Sequence, residues 1–188
     1  MQREQLKVLL LQIRDDHKVR AEELESFARY SQLNVSQIDV LNVFDTPSFN
    51  TSVLQGYNAL YVGGASEANV LEPKIYPFVN DCISLIKFAG DTSVPTFASC
   101  FGFQLAVLAF GGEIVSKDVD YEMGSIPITL TNLATIDPVF SGTPDKFPAL
   151  SIHRQYASEL PAGLDLLAYT SDCLHSFKLR NKPLWAFQ

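Results

Sequence analysis

Val94-Pro95-Thr96-Phe97-Ala98-Ser99-Cys100-Phe101-Gly102-Phe103-Gln104 is the stretch that decides the fold. It opens as a short strand over Val94–Ala98, passes Cys100, and continues as an apolar helix from about Phe101 to Phe110, closed by Gly111-Gly112. Around Cys100 the pattern is small-x-nucleophile-x-small: Ala98-Ser99-Cys100-Phe101-Gly102. A sharp strand-to-helix turn crowds the residues two before and two after its apex, so both must be small. The apex side chain is then held out over the sheet. The helix N-terminus beneath it is expected to favour the thiolate, the reactive form of cysteine.

Outward from this turn, strands and helices alternate. Lys7–Ile13 is a short apolar run that stops at Arg14-Asp15-Asp16, the pattern of a strand buried on both faces. Val19–Tyr30 reads as an amphipathic helix, Ile38–Val43 as a second strand, and Ala59–Val62 as a third that ends at Gly63-Gly64. From Pro73, the apolar positions Ile75, Phe78, Val79, Cys82, Ile83, Leu85 and Ile86 recur at helical steps, with Gly90 after the end. This order predicts an α/β fold, a three-layer, doubly wound, mostly parallel sheet with helices on both faces. After Gly112 the pattern changes to short strands at Ile114-Val115, Ile126–Leu130, Ala149–Ile152, Leu166–Tyr169, Ser176–Leu179 and Leu184–Phe187. That half is expected to be more antiparallel and richer in loops.

Composition narrows the function classes. The chain has 188 residues, 47% apolar and 19% charged, enough to bury one substantial core. Lys plus Arg number 14 against 21 Asp plus Glu, a net charge of −7. Nucleic acid or an anionic membrane needs a basic surface, so neither is expected as a partner. The longest apolar runs, Val8–Leu11 and Leu105–Phe110, fall far short of the roughly 18 residues that span a bilayer. Val8–Leu11 is also too short for the core of a signal peptide, which makes the cytoplasm the expected location.

Three cysteines are scattered along the chain, Cys82, Cys100 and Cys173. None forms a Cys-x-x-Cys pair or a Cys/His group with metal-ligand spacing, so neither a metal site nor a disulfide framework is expected. Cys82 lies on the core stripe of a helix, and Cys173, in a Ser-Asp-Cys loop, reads as a bystander. Cys100 remains as the candidate nucleophile. A thiolate attacking a carbonyl needs donors for the developing oxyanion. The backbone N–H of Phe101 is one, and the Gly63-Gly64 turn, where backbone can approach substrate closely, offers a second. That turn lacks the phosphate-loop pattern, so no nucleotide or other cofactor is read from it.

These segments, taken with Ala109-Phe110-Gly111-Gly112, resemble the nucleophile segment of class I glutamine amidotransferases. The closer resemblance is to stand-alone proteins similar to the amidotransferase domain of GMP synthase. Other pieces fall in the same order: Tyr61-Val62-Gly63-Gly64, Glu122-Met123-Gly124, Ser151-Ile152-His153-Arg154-Gln155 with Leu160-Pro161, and Leu184-Trp185-Ala186-Phe187-Gln188. The resemblance covers residues 1–188 and implies a single amidotransferase-like domain with a flavodoxin-like core. It implies that Cys100 attacks the side-chain amide of glutamine, that Gly64 and Phe101 hold the oxyanion, and that ammonia leaves a glutamyl thioester, which water hydrolyses. Gln104 and Gly63 fall at substrate-binding positions, and Arg154 and Gln155 match loop positions that hold the substrate's α-groups.

In the family, the histidine base and its orienting glutamate follow directly in a His-Pro-Glu motif. Gln188 is the last residue given, so the sequence is expected to be truncated ahead of that motif and strongly impaired as it stands. Of the histidines present, His153 in the substrate loop is the best substitute base. His17 reads as an exposed loop residue, and His175 matches no catalytic position. The resemblance implies glutamine or a γ-glutamyl compound as ligand. It also implies that ammonia passes to a separate synthetase, since no ATP-binding domain fits on this chain. Homodimerisation is common in this architecture, and no residue decides it. Two other readings share the motifs: a hydrolase of γ-glutamyl amines or peptides, and a non-catalytic regulatory module.

Overall fold

The computed structural model describes residues 2–188. Among these residues, eleven strands and three α-helices follow one another as β1 (Val8–Gln12), α1 (His17–Ser31), β2 (Ile38–Asn42), β3 (Ala59–Val62), α2 (Phe78–Asp91), β4 (Thr96–Ser99), α3 (Phe101–Ala109), β5 (Val115–Ser116), β6 (Met123–Leu130), β7 (Lys146–Ile152), β8 (Gln155–Tyr156), β9 (Leu164–Tyr169), β10 (Leu174–Leu179) and β11 (Leu184–Phe187). Nine strands form one sheet in the order β2-β1-β3-β4-β11-β10-β9-β6-β7. The five strands from β2 to β11 are mutually parallel. From β11 outward through β10, β9, β6 and β7, each pair is antiparallel. The expected change of character after Gly112 is therefore a change of strand direction within one continuous sheet.

The alternation of side chains along β1 explains the three layers. Leu9 and Leu11 point into a core shared with Leu85 and Ile86 of α2 and Phe103 and Leu105 of α3. Val8 and Leu10 point the other way, toward Ala28 of α1, with Leu24 and Phe27 packed against them. A strand buried on both faces can be apolar at every position, which is why Val8–Leu11 shows no polar alternation. The antiparallel half carries its own cluster around Ile128, Leu130, Phe140 and Leu167.

One local reading needs correction, and one short strand has no counterpart in the sequence pattern. The helix expected from Pro73 begins at Phe78, with Pro77 at its N-cap, and Ile75 is 64% exposed in the preceding turns. Proline disfavours helical geometry in the residue before it, so Pro77 keeps Tyr76 out of the helix. The two-residue strand β8 pairs with β5 in a separate small sheet, and two residues are too few to show a period. Among the described residues, no helix is long and apolar enough to cross a membrane.

Candidate active site

Cys100 sits between β4 and α3 with φ 54° and ψ −102°, a backbone conformation that costs a non-glycine residue strain. The neighbouring elements hold it there. Its N–H donates to the Phe187 carbonyl at the end of β11 (2.6 Å), its carbonyl accepts from Gln104 N–H (3.2 Å), and Gly102 N–H donates to the Gly63 carbonyl (3.2 Å). Strands β3, β4 and β11 thus end together around one sulfur, at the carboxyl edge where doubly wound sheets bind ligands.

The backbone amides of Phe101 and Ala65 face the Cys100 sulfur. A Cβ added at Gly64 would lie 3.5 Å from Cys100 Cβ and 2.9 Å from Arg14 Nη2, so the Gly63-Gly64 turn does run past the cysteine. Its amide groups are divided between two partners: the Gly64 amide faces the Glu23 carboxylate, and the amide turned to the sulfur is that of Ala65. Ala65 was missed because a glycine pair draws attention to itself and the residue after it does not. Arg14 pairs with Glu23 (3.0 Å) and donates to Ser66 Oγ (3.0 Å), fixing this turn against α1. Burial pushes the Glu23 carboxyl up, partly offset by Arg14. A cavity of about 700 Å³ opens beside Cys100, bounded by Gly64, Arg14, Glu23, Phe27 and Phe97.

The helix N-terminus does not dominate the thiol as expected. Burial pushes the Cys100 thiol above its ordinary range, against the opposing pull of the Phe101 amide and Arg14. Desolvation of the anion outweighs one helix end here.

The structure divides the remaining candidates. Buried Gln104 donates through Nε2 to the Gln155 carbonyl (3.2 Å) and reaches Gln188 Oε1 (3.5 Å), and Gln188 Nε2 lies 4.0 Å from Cys100 Sγ. Gln104 and Gln155 are therefore linked to the cysteine through Gln188. Gly63 packs so tightly that a Cβ would meet the Glu23 carboxylate at 2.7 Å. Arg154 is exposed, with its guanidinium 5.1 Å above the Tyr121 ring, and does not line the Cys100 cavity.

His153 is committed elsewhere. Its Nδ1 lies 3.1 Å from the Gln155 carbonyl and its Nε2 3.1 Å from Glu122 Oε2. Among the described residues, no histidine hydrogen-bonds Cys100. His17 is the first residue of α1 and is exposed. His175 and Cys173 lie in the His153 cluster. His175 Nε2 is 2.7 Å from Glu122 Oε2 and 3.3 Å from Cys173 Sγ, which is itself 3.9 Å from His153 Nε2. All four residues are buried.

Two expectations fall with this finding. Cys173 is no bystander, and residues with metal-ligating side chains do converge although three segments far apart in the sequence supply them. Spacing rules detect ligands within one loop or helix, whereas here the ends of β6 and β7 and the β9–β10 hairpin supply them. Cys173-Leu174-His175, at the start of a strand with alternating faces, was the one local signal. Burial works to raise the Glu122 carboxyl, but the Thr170 hydroxyl (2.5 Å) and His175 outweigh it and hold it below its ordinary value. Burial and the same carboxylate push the Cys173 thiol up to about 12. Burial lowers His175 against the pull of Glu122.

Known proteins resemble this chain over most of its length. The model of the family "Glutamine amidotransferase class-I" matches residues 41–188. The chain is 28% identical over 169 residues to the glutamine-hydrolyzing GMP synthase of Borreliella burgdorferi, covering 88% of this chain and 31% of that protein. It is 25% identical over 114 residues to one subunit of the glutamine-hydrolyzing GMP synthase of Methanocaldococcus jannaschii, covering 60% of this chain and 58% of that one. The chain thus matches less than two thirds of the length of these curated relatives. The crystal structure of a glutamine amidotransferase from Thermotoga maritima superposes with a TM-score of 0.78 at 18% identity, over 97% of this chain and 74% of that one, and so shares the fold. With the matched segment running from β2 through Cys100 to Gln188, the chain belongs to the class-I glutamine amidotransferase family.

Proposed function

We propose that Cys100 is the nucleophile of a glutamine-hydrolysing site that frees ammonia from the side-chain amide. The observation that carries this reading is the strained cysteine at φ 54°, with the Phe101 and Ala65 amides turned to its sulfur. The Cys100 thiolate attacks the amide carbon, and the carbonyl oxygen gains the negative charge. Backbone amides of Phe101 and Ala65 stabilise that oxyanion, and being fixed in place they need no reorganisation. The amide nitrogen takes up the proton that the thiol gave up, the C–N bond breaks, and ammonia leaves a glutamyl thioester. Water then attacks the thioester, releasing glutamate and returning the thiol.

Gln104 and Gln155 meet beside Cys100 through the Gln155 carbonyl and Gln188, which supports them as the wall that receives the substrate's far end. Arg154, exposed on Tyr121, contributes through its backbone rather than its charge. The archaeal relative is named as one subunit of a glutamine-hydrolyzing GMP synthase, which supports a further step, delivery of ammonia to a separate synthetase. Incubation with L-glutamine, alone and with such a synthetase, and measurement of glutamate and ammonia tests the reading. The complete natural protein should release both in equal amounts, and Cys100→Ala should release neither while keeping its circular dichroism. No release by the complete protein under either condition, or undiminished release by Cys100→Ala, overturns it.

A further inference from the structure

We propose that Glu122, His153, Cys173 and His175 form a buried tetrahedral site for a thiolate-binding divalent cation of the Zn²⁺ class. Glu122 Oε2, His153 Nε2, Cys173 Sγ and His175 Nε2 all lie within 4.8 Å of one another. The separations among them that are short enough for hydrogen bonding are 2.7, 3.1, 3.3 and 3.9 Å. A tetrahedral zinc centre with ordinary Zn–N, Zn–O and Zn–S bonds has edges of about 3.3–3.6 Å, so small adjustments of these side chains accommodate the ion.

The hydrogen-bond inventory of the cluster points the same way. A carbonyl oxygen only accepts, so the contact of His153 Nδ1 with the Gln155 carbonyl places the proton of the neutral ring on Nδ1. The lone pair of Nε2 is then aimed at a carboxylate oxygen 3.1 Å away. In that neutral form two acceptors face each other, a conflict that a metal cation between them, or a second ring proton, removes. His175 Nε2 likewise lies close to two further donor atoms of the set, Glu122 Oε2 at 2.7 Å and Cys173 Sγ at 3.3 Å.

Charge and supporting contacts fit as well. A thiolate and a carboxylate with two neutral imidazoles balance a divalent cation, so the loaded site is electrically neutral and suits burial. The mixed S, N and O set selects a borderline ion over magnesium or calcium. Ligand atoms not facing the centre are held from outside: Thr170 Oγ donates to Glu122 Oε1, and the Gln155 carbonyl accepts from His153 Nδ1. A small void of about 10 Å³, bordered by Glu122, His153 and Cys173, adjoins the cluster. With all four donors supplied by protein, the site is structural, a clamp joining the ends of β6 and β7 to the β9–β10 hairpin.

Titration of the chelator-stripped protein with Co²⁺, followed by Zn²⁺, tests this site. One Co²⁺ per chain should bind, with a thiolate-to-cobalt charge-transfer band and the intense visible bands of four-coordination, and stoichiometric Zn²⁺ should bleach both. Cys173→Ser should remove the charge-transfer band, whereas Cys100→Ala should retain it. If Cys173→Ser fails to fold, X-ray absorption of the wild-type zinc form replaces it, with one sulfur and three nitrogen or oxygen neighbours expected. Absence of stoichiometric binding, a zinc shell without sulfur, or a band that survives in Cys173→Ser overturns the site.

Discussion

Gly102 and Val62 touch so closely that a Cβ on Gly102 would sit 2.9 Å from both the Val62 carbonyl oxygen and its Cγ1. Backbone cannot retreat as a flexible side chain can, so helix α3 and strand β3 fix each other's position through this glycine. Gly102→Ala should therefore destabilise the fold by about 1–3 kcal/mol, the usual cost of overpacking a close contact. Urea unfolding followed through the single tryptophan, Trp185, measures it. A change below about 0.5 kcal/mol, the scale of an ordinary surface substitution, would mean that the turn tolerates a Cβ.

Strain at Cys100 has a signature of its own. Glycine adopts φ 54° without the penalty that any side chain carries, whereas alanine retains it. Cys100→Gly should be more stable than Cys100→Ala by about 1 kcal/mol, the reverse of their order in an ordinary helix. Equal stabilities would show that the turn is relaxed.

The raised Cys100 thiol gives a pH prediction. At any pH near neutrality its thiolate fraction lies below that of a free cysteine, so iodoacetamide should modify the native protein more slowly than the unfolded chain. The native rate should climb with a midpoint above the roughly 8.5 of an unperturbed thiol. Cys82, raised further by its burial, should resist modification throughout. The linkage has a definite sign. Both thiols are kept neutral by the fold, so their contribution to stability is complete below the ordinary thiol pKa and is lost as pH rises toward the folded values. Urea midpoints should accordingly fall above about pH 8.5. A native alkylation midpoint below that of free cysteine would show that the α3 N-terminus outweighs desolvation after all.

Much of this molecule was legible before its structure, and for physical reasons. Parallel strands buried on both faces leave unbroken apolar runs such as Val8–Leu11, and the crowding of a strand-to-helix apex forces Ala98 and Gly102 to be small. Both constraints act within a few residues, where sequence records them directly. The start of α2 was misplaced because the apolar period runs back through Ile75, while Pro77, a single residue, sets the boundary. Position in the assembled sheet was less accessible still. Glu122, His153, Cys173 and His175 meet only because β6, β7, β9 and β10 lie together at one edge, and no local spacing encodes that. The same holds for Ala65, whose amide faces Cys100 through the placement of β3 beside β4.

The measurement closest to the central claim is covalent labelling of Cys100 by a glutamine-mimicking electrophile such as 6-diazo-5-oxo-L-norleucine, with the modified peptide identified by mass spectrometry. This reaction reports the nucleophile and the substrate pocket together, without requiring turnover. The account predicts modification at Cys100 alone, slowed in proportion to added L-glutamine and absent in Cys100→Ala. Labelling of Cys82 or Cys173 in its place, or labelling of Cys100 that L-glutamine does not slow, would contradict it.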